Sequence, residues 1–127
     1  MRILVVDDEA IIRHLLMDVL KDDGHQVVAA ENGKEAIDQV KESTFDLVFS
    51  DVHMPVLNGL ETVKTIRRLD RKVFIVMMDS FPDLLSELAQ EEGAITCIHK
   101  PFELGAIREV LERVQDLKEG NKQKLTL

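Results

Sequence analysis

The chain has 127 residues, a length typical of one domain with a single hydrophobic core. Acidic residues outnumber basic ones by 24 to 16, and a formal net charge of −8 argues against direct binding to nucleic acid, which requires a basic surface. Because no long apolar stretch or secretory segment is evident, we expect a cytoplasmic protein without membrane contact. The single cysteine, Cys97, excludes an internal disulfide and any zinc site built from several cysteines.

Short apolar runs alternate with longer segments of helical period, which indicates βαβ units and a parallel sheet. The first strand is predicted at residues 2–6, and the helix after it ends at Asp22-Asp23-Gly24, with Gly24 as a left-handed cap. The second strand is predicted at residues 26–30, and its helix begins near Asn32-Gly33. The first two units therefore occupy roughly the first third of the chain.

The same alternation continues through three further units. A strand at residues 45–50 precedes a helix that begins at Asn58-Gly59. A strand at residues 73–78 precedes a helix that begins near Pro82, since proline is well tolerated in a first helical turn. The fifth strand is predicted at residues 94–99, and a last amphipathic helix follows it.

The arrangement of these units follows from their patterning. Strands one and three are almost uniformly apolar, as expected for central strands covered on both faces, whereas strand two has polar ends typical of an edge. We therefore predict an α/β, flavodoxin-like, doubly wound sheet of five parallel strands, order 2-1-3-4-5, with five helices. The helical period is lost from Glu119, so we expect one domain over residues 1–118 and a C-terminal tail or linker stub over 119–127.

Charged residues stand directly after three of the predicted strands. Asp7 and Asp8 follow the first strand, Asp51 follows the third and Lys100 follows the fifth. Because parallel strands share an edge at their carboxyl ends, these side chains are expected to meet in one crevice. Two carboxylates 4 Å apart repel each other by about 4 kcal/mol at an effective dielectric of about 20. A hard divalent cation such as Mg²⁺ would relieve that repulsion, and such sites commonly also bind phosphate oxygens.

These positions form part of a larger ordered set of motifs, which comprises Asp7-Asp8, Asp51, Met54-Pro55, Asn58-Gly59, Gly93-Ala94 and Lys100-Pro101-Phe102. In this combination the chain resembles the receiver domain of two-component response regulators over residues 1–118.

The resemblance implies a function for each member of the crevice. Asp51 would accept a phosphoryl group from a histidine kinase or a histidine phosphotransfer protein. Asp8 and Asp51 would bind Mg²⁺ directly, Asp7 would do so through water, and His53 would contribute its backbone carbonyl. Lys100 would contact the phosphoryl group. The protein would be a switch capable at most of self-phosphorylation and autodephosphorylation, and its downstream protein partner would bind on the face of helix 4, strand 5 and helix 5.

Three positions depart from the family pattern or bear on switching. Asp79 stands where receivers usually have Thr or Ser, and Ser80 takes the next position; Cys97 stands where many receivers have an aromatic ring. An ionised carboxylate only accepts hydrogen bonds and repels a phosphoryl dianion. Either Ser80 takes over the hydroxyl's role, or Asp79 points to solvent and the domain signals weakly. We expect phosphorylation of Asp51 to survive but to produce an unusually small change.

Two other functions stay open at this point. The departures at Asp79 and Cys97 would suit a receiver-like module that binds partners without phosphorylation. A remote alternative is a cobalamin-binding flavodoxin-like domain, because Asp51-Val52-His53 begins an Asp-x-His-x-x-Gly pattern, although position 56 is Val. A conventional enzyme ranks third, because no nucleophile-base pair or glycine-rich nucleotide loop is evident.

Overall fold

The structure, a computed structural model, describes residues 1–80 and 83–126, with side chains up to residue 120. Within these residues, strands and helices alternate in five successive units. Phe81, Pro82 and Leu127 lie outside the described residues, and so does the predicted helix start at Pro82. The elements are β1 (Arg2–Val6), α1 (Ala10–Asp22), β2 (Gln26–Ala30), α2 (Gly33–Glu42), β3 (Leu47–Asp51), α3 (Gly59–Leu69), β4 (Phe74–Asp79), α4 (Leu84–Glu91), β5 (Thr96–His99) and α5 (Leu104–Thr126).

The five strands form one parallel sheet in the order β2-β1-β3-β4-β5, which confirms the predicted fold. Every residue of β3 is buried, and so are four of the five residues of β1, as the uniformly apolar runs predicted. The register places Val6 opposite Ser50, and it places Asp51 opposite Met78. The residues that follow β1 and those that end β3 and β4 therefore share the carboxyl edge of the sheet.

The hydrophobic core has one layer on each face of the sheet, because successive strand residues point to opposite faces. Val5 and Phe49 belong to the layer packed by α1 and α5. Leu4 and Val48 belong to the layer packed by α2, α3 and α4. With both faces covered, the crevices available to a ligand are at the strand ends.

Local sequence signals fix where several helices begin and end. The Asn32 and Asn58 side chains cap α2 and α3 by accepting hydrogen bonds from backbone N–H groups three residues later. Asp83 caps α4 in the same way. Gly24 has a φ of 88° and ends α1, as predicted.

The last helix differs from the prediction. Helix α5 continues to Thr126, beyond the loss of helical period at Glu119, so residues 119–126 are helical and not irregular. The turn formers Gly120 and Asn121 weaken a helix by roughly 1 kcal/mol or less each, too little to end one that is already nucleated. No helix in the described part of the chain is both long and apolar enough to cross a bilayer.

Candidate functional site

Three carboxylates meet at the carboxyl edge of the sheet. Asp7 follows β1, Asp51 ends the neighbouring strand β3, and Asp8 is next in the chain to Asp7. One oxygen atom from each of the three lies within 4.8 Å of the others. Asp7 and Asp51 are buried and Asp8 is exposed, so the crevice is open to solvent on one side.

Lys100 brings a positive charge into this crevice. Its Nζ lies 2.6 Å from Asp7 Oδ2 and 3.4 Å from Asp51 Oδ2, although the residue follows β5, at the far edge of the sheet. The side chain is 7% exposed. Glu9 Oε1 lies 3.4 Å from the same Nζ, a contact that sequence reasoning missed because Glu9 follows no strand directly. The peptide bond between Lys100 and Pro101 is cis.

The charges in the crevice do not balance. Burial and repulsion from Asp7 raise the pKa of Asp51 to about 7, with Lys100 partly opposing the shift. Burial also raises the pKa of Asp7, against the hydrogen bond from Lys100. Burial disfavours the Lys100 ammonium, but its contacts with Asp7 and Asp51 outweigh burial and raise its pKa. An all-oxygen site with surplus negative charge is suited to a hard divalent cation, whose binding would displace the Asp51 proton.

The raised pKa of Asp51 predicts an unusual pH dependence of stability without divalent cations. Between pH 3.8, the ordinary value, and about 7 the native state holds more protons than the unfolded chain, so the free energy of unfolding falls as pH rises. Asp51→Asn removes this ionisation. We expect it to raise the free energy of unfolding by about 2 kcal/mol at about pH 8 and to have a smaller effect at about pH 5.

Urea denaturation of wild type and Asp51→Asn at the two pH values, with a chelator present, measures this effect. Asp38→Asn is a matched control, because Asp38 is an exposed aspartate on α2. An Asp51→Asn protein that gains no stability at high pH would contradict the assigned electrostatics.

The loop after Asp51 is tied down by backbone contacts. The Gly59 N–H donates to the Val52 carbonyl at 2.7 Å, which holds the start of α3 against the end of β3. A Cβ on Gly59 would lie 2.6 Å from the Asp51 carbonyl oxygen, so this approach requires glycine. The His53 side chain lies on the same loop, with its Nε2 2.9 Å from Asp83 Oδ2 at the start of α4. Its backbone carbonyl, the predicted metal ligand, stays a prediction.

Asp79 is fully buried, so the predicted alternative in which it points to solvent is wrong. Its Oδ1 lies 2.5 Å from His99 Nδ1, and its Oδ2 accepts a hydrogen bond from Cys97 Sγ at 3.2 Å. Burial opposes ionisation of Asp79, but the hydrogen bonds from His99 and Cys97 outweigh it and lower the pKa of the carboxyl. Asp79 is thus a buried carboxylate that contacts two residues of β5. The sequence showed only that an aspartate stands where receivers usually have Thr or Ser, and it did not reveal these contacts.

The remaining predicted positions have different surroundings. Ser80 is exposed, directly after β4. Cys97 is half-buried, and burial together with the Asp79 carboxylate raises the pKa of its thiol to about 12. His99 was not among the residues predicted for the site. Its alternation with Cys97 along β5 was the available signal, because residues two apart on a strand share a face.

The chain is similar in sequence to known receiver domains. Residues 3–112 match the family model described as the response regulator receiver domain. The chain is 34% identical over 118 residues to sporulation initiation phosphotransferase F of Bacillus subtilis, covering 92% of this chain and 95% of that protein. It is 36% identical over 114 residues to the chemotaxis protein CheY of the same organism, covering 88% and 95% of the two proteins.

Solved structures give the same result. The response regulator TrrA of Thermotoga maritima, solved in complex with Mg²⁺-BeF, superposes with a TM-score of 0.81 at 34% identity, over 89% of this chain and 97% of that one. The chemotaxis protein CheY4 of Vibrio cholerae superposes with a TM-score of 0.82 at 32% identity, with the same coverage.

Proposed function

The chain belongs to the response regulator receiver domain family, whose members are phosphoacceptors of two-component systems, and we propose that its acceptor is Asp51. The supporting observation is the buried Asp51 carboxylate beside two further aspartates and 3.4 Å from Lys100 Nζ. In the transfer, an Asp51 oxygen bonds to phosphorus while the phosphorus–nitrogen bond of a donor phosphohistidine breaks, and the imidazole keeps the electron pair. Hydrolysis of the acyl phosphate by water resets the domain.

Mg²⁺ is the cation that we propose for the crevice. The donor atoms are all oxygens and carry surplus negative charge, which fits a hard divalent ion. Asp8 and Asp51 would bind it directly, Asp7 would bind it through water and the His53 carbonyl would complete the set. When bound, the ion neutralises charge on the phosphoryl oxygens.

In this scheme Lys100 would position the phosphoryl group and neutralise its charge. In the unphosphorylated protein its ammonium lies closer to Asp7 than to Asp51, at 2.6 Å against 3.4 Å. A phosphoryl group on Asp51 would bring a dianion within reach of the same ammonium, so we expect Lys100 to shift its contact from Asp7 to the phosphoryl oxygens.

We expect a small structural response to phosphorylation. The position that usually supplies a hydroxyl has the buried Asp79 carboxylate, which already contacts His99 and Cys97. A carboxylate cannot donate a hydrogen bond to a phosphoryl group. Amide NMR shifts on phosphorylation should stay small in β4 and β5 of the wild type and become larger in Asp79→Thr. Large wild-type shifts in these strands, equal to those of Asp79→Thr, would contradict this expectation.

Receiver domains are signalling modules that interact with histidine kinases or phosphotransfer proteins and with downstream effectors. For this chain we propose a cytoplasmic location, a phosphohistidine donor, and a downstream protein that docks on α4, β5 and α5. Leu84 and Leu88 on α4 and Leu104 on α5 are exposed and would give that partner apolar contacts. Beyond phosphorylation and dephosphorylation of itself, we propose no enzymatic activity.

Incubation with acetyl phosphate and Mg²⁺ tests phosphorylation of this chain. Intact mass measurement should show one added phosphoryl group on the wild type and none on Asp51→Asn or in the presence of a chelator. Asp38→Asn should be modified like the wild type. Absence of modification in the wild type would favour a module that binds partners without phosphorylation.

A further inference from the structure

A second group of ligand atoms lies at the carboxyl ends of β4 and β5. One oxygen of Asp79, the Cys97 sulfur and one His99 ring nitrogen all lie within 4.8 Å of one another. This group differs from the three aspartates in composition, because it combines oxygen, sulfur and nitrogen. The proposed phosphoryl transfer uses none of the three side chains as a ligand.

The topology of the sheet brings these side chains together. Asp79 is directly opposite His99 in the register of β4 and β5, and Met77 is opposite Cys97. Cys97 and His99 are two residues apart on β5, so both point to the face of the sheet on which the Asp79 side chain lies. Backbone pairing of β4 and β5 therefore fixes the relative positions of the three residues, which favours a preorganised site.

The contacts within the group are those expected of a metal site whose ligands carry protons in place of the metal. Each Asp79 oxygen has its own protic neighbour, His99 Nδ1 at 2.5 Å and Cys97 Sγ at 3.2 Å. A metal ion binds a cysteine by replacing the thiol proton, and it binds a histidine by accepting the lone pair of a ring nitrogen. The Asp79 carboxylate is fully buried, so its charge needs compensation by hydrogen bonds or by a cation.

We propose that Asp79, Cys97 and His99 bind a borderline divalent cation of the Zn²⁺ type. A thiolate, an imidazole and a carboxylate suit Zn²⁺ or Co²⁺ and are a poor set for Mg²⁺, which prefers oxygen. Three protein ligands leave the fourth tetrahedral position for water. The His99 side chain is 63% exposed, so a cation can reach the group from solvent. Binding releases the Cys97 thiol proton to solvent.

The site would lie against the proposed phosphorylation site without sharing its ligands. Lys100 follows His99 directly, and its backbone N–H donates to the Asp79 carbonyl at 2.5 Å. The two sites are expected to discriminate between cations by ligand type, oxygen in one and mixed donors in the other. Excess Mg²⁺ should therefore leave the second site available to Zn²⁺ or Co²⁺.

Titration of the full reduced chain with Co²⁺ in excess Mg²⁺ tests this proposal. We expect saturation at one equivalent, with thiolate-to-cobalt charge-transfer absorption that Zn²⁺ abolishes by competition. Cys97→Ser should lose the charge-transfer absorption. Asp79→Asn and His99→Gln should weaken Co²⁺ binding by more than about tenfold. Loss of a residue that only supports a metal ligand costs about 10- to 100-fold in affinity, and loss of the ligand itself should cost at least as much.

Matched controls separate this site from its neighbours. His14→Gln removes an exposed histidine on α1, and Asp51→Asn removes the proposed phosphoryl acceptor; both should keep wild-type Co²⁺ absorption. Circular dichroism checks that each variant is folded. Protection of Cys97 from a thiol reagent by Zn²⁺ in wild type, reduced in His99→Gln, gives a second readout.

Three results would overturn the proposal. They are absence of charge-transfer absorption in the wild type, wild-type affinity in both Asp79→Asn and His99→Gln, and loss of the absorption in Asp51→Asn. Phosphorylation of Asp51 is measured separately by intact mass, so failure of either proposal leaves the other intact.

Discussion

Replacing Gly59 by alanine is expected to lower the free energy of unfolding by about 3 kcal/mol and to reduce phosphorylation of Asp51. The added Cβ would lie 2.6 Å from the Asp51 carbonyl oxygen and 2.7 Å from the Val52 Cα. Both are backbone atoms at the end of a buried central strand and cannot move like the tip of a flexible side chain. The strand end that carries Asp51 must shift instead, which displaces the carboxylate from Lys100.

Gly105→Ala is the matched control, because a Cβ at that position meets no atom within 4 Å. Gly105 lies in the first turn of α5, where alanine should be neutral or stabilise the helix by up to about 1 kcal/mol. Urea denaturation and acetyl phosphate labelling of both variants measure the difference. Equal stability of Gly59→Ala and Gly105→Ala would show that the close approach of Gly59 to β3 does not exist in solution.

Replacing Lys100 by methionine is expected to destabilise the cation-free protein by about 3 kcal/mol. Methionine keeps much of the buried stem but removes the ammonium, which leaves Asp7 and Asp51 without their buried positive partner. Part of the cost is recovered because the two carboxyls can bind protons. We also expect a large loss of phosphorylation rate, since the ammonium no longer neutralises the incoming phosphoryl group.

Mg²⁺ should restore part of the stability of Lys100→Met, because an added cation replaces some of the missing charge and binds only the folded state. Lys34→Met is the control, because Lys34 is an exposed lysine on α2 whose replacement should change stability by less than about 0.5 kcal/mol. Denaturation curves with and without Mg²⁺ give both quantities. A Lys100→Met protein as stable as Lys34→Met in the presence of chelator would be incompatible with the buried ion pair.

The sheet could be predicted from the sequence because its central strands leave little choice. Four apolar residues precede Asp7 and three apolar residues lie just before Ser50 and Asp51, and only strands covered on both faces suit such runs. Once the order 2-1-3-4-5 is set, the ends of β1 and β3 must be neighbours. The meeting of Asp7, Asp8 and Asp51 therefore follows from strand order, whereas Lys100 reaches them with its side chain from the far edge of the sheet.

The surroundings of Asp79 could not be predicted in this way. Whether its side chain faces solvent or β5 depends on the register of β4 against β5 and on the exact end of β4, which is Asp79 itself. A shift of one residue would turn it to the other face of the sheet. The φ of 71° at Val56 was equally invisible, because a β-branched residue is disfavoured in that conformation and gives no sequence signal for it.

Chemical trapping of the phosphorylated residue tests the central claim most directly. Borohydride reduces an acyl phosphate on aspartate to the alcohol, which leaves homoserine at the modified position. After treatment with acetyl phosphate and Mg²⁺, peptide mass mapping should find homoserine at position 51, and it should find none when Mg²⁺ is chelated. Homoserine at position 7, 8 or 79 instead, or at no position in a protein shown to be folded, would contradict the assignment of Asp51 as the phosphoryl acceptor.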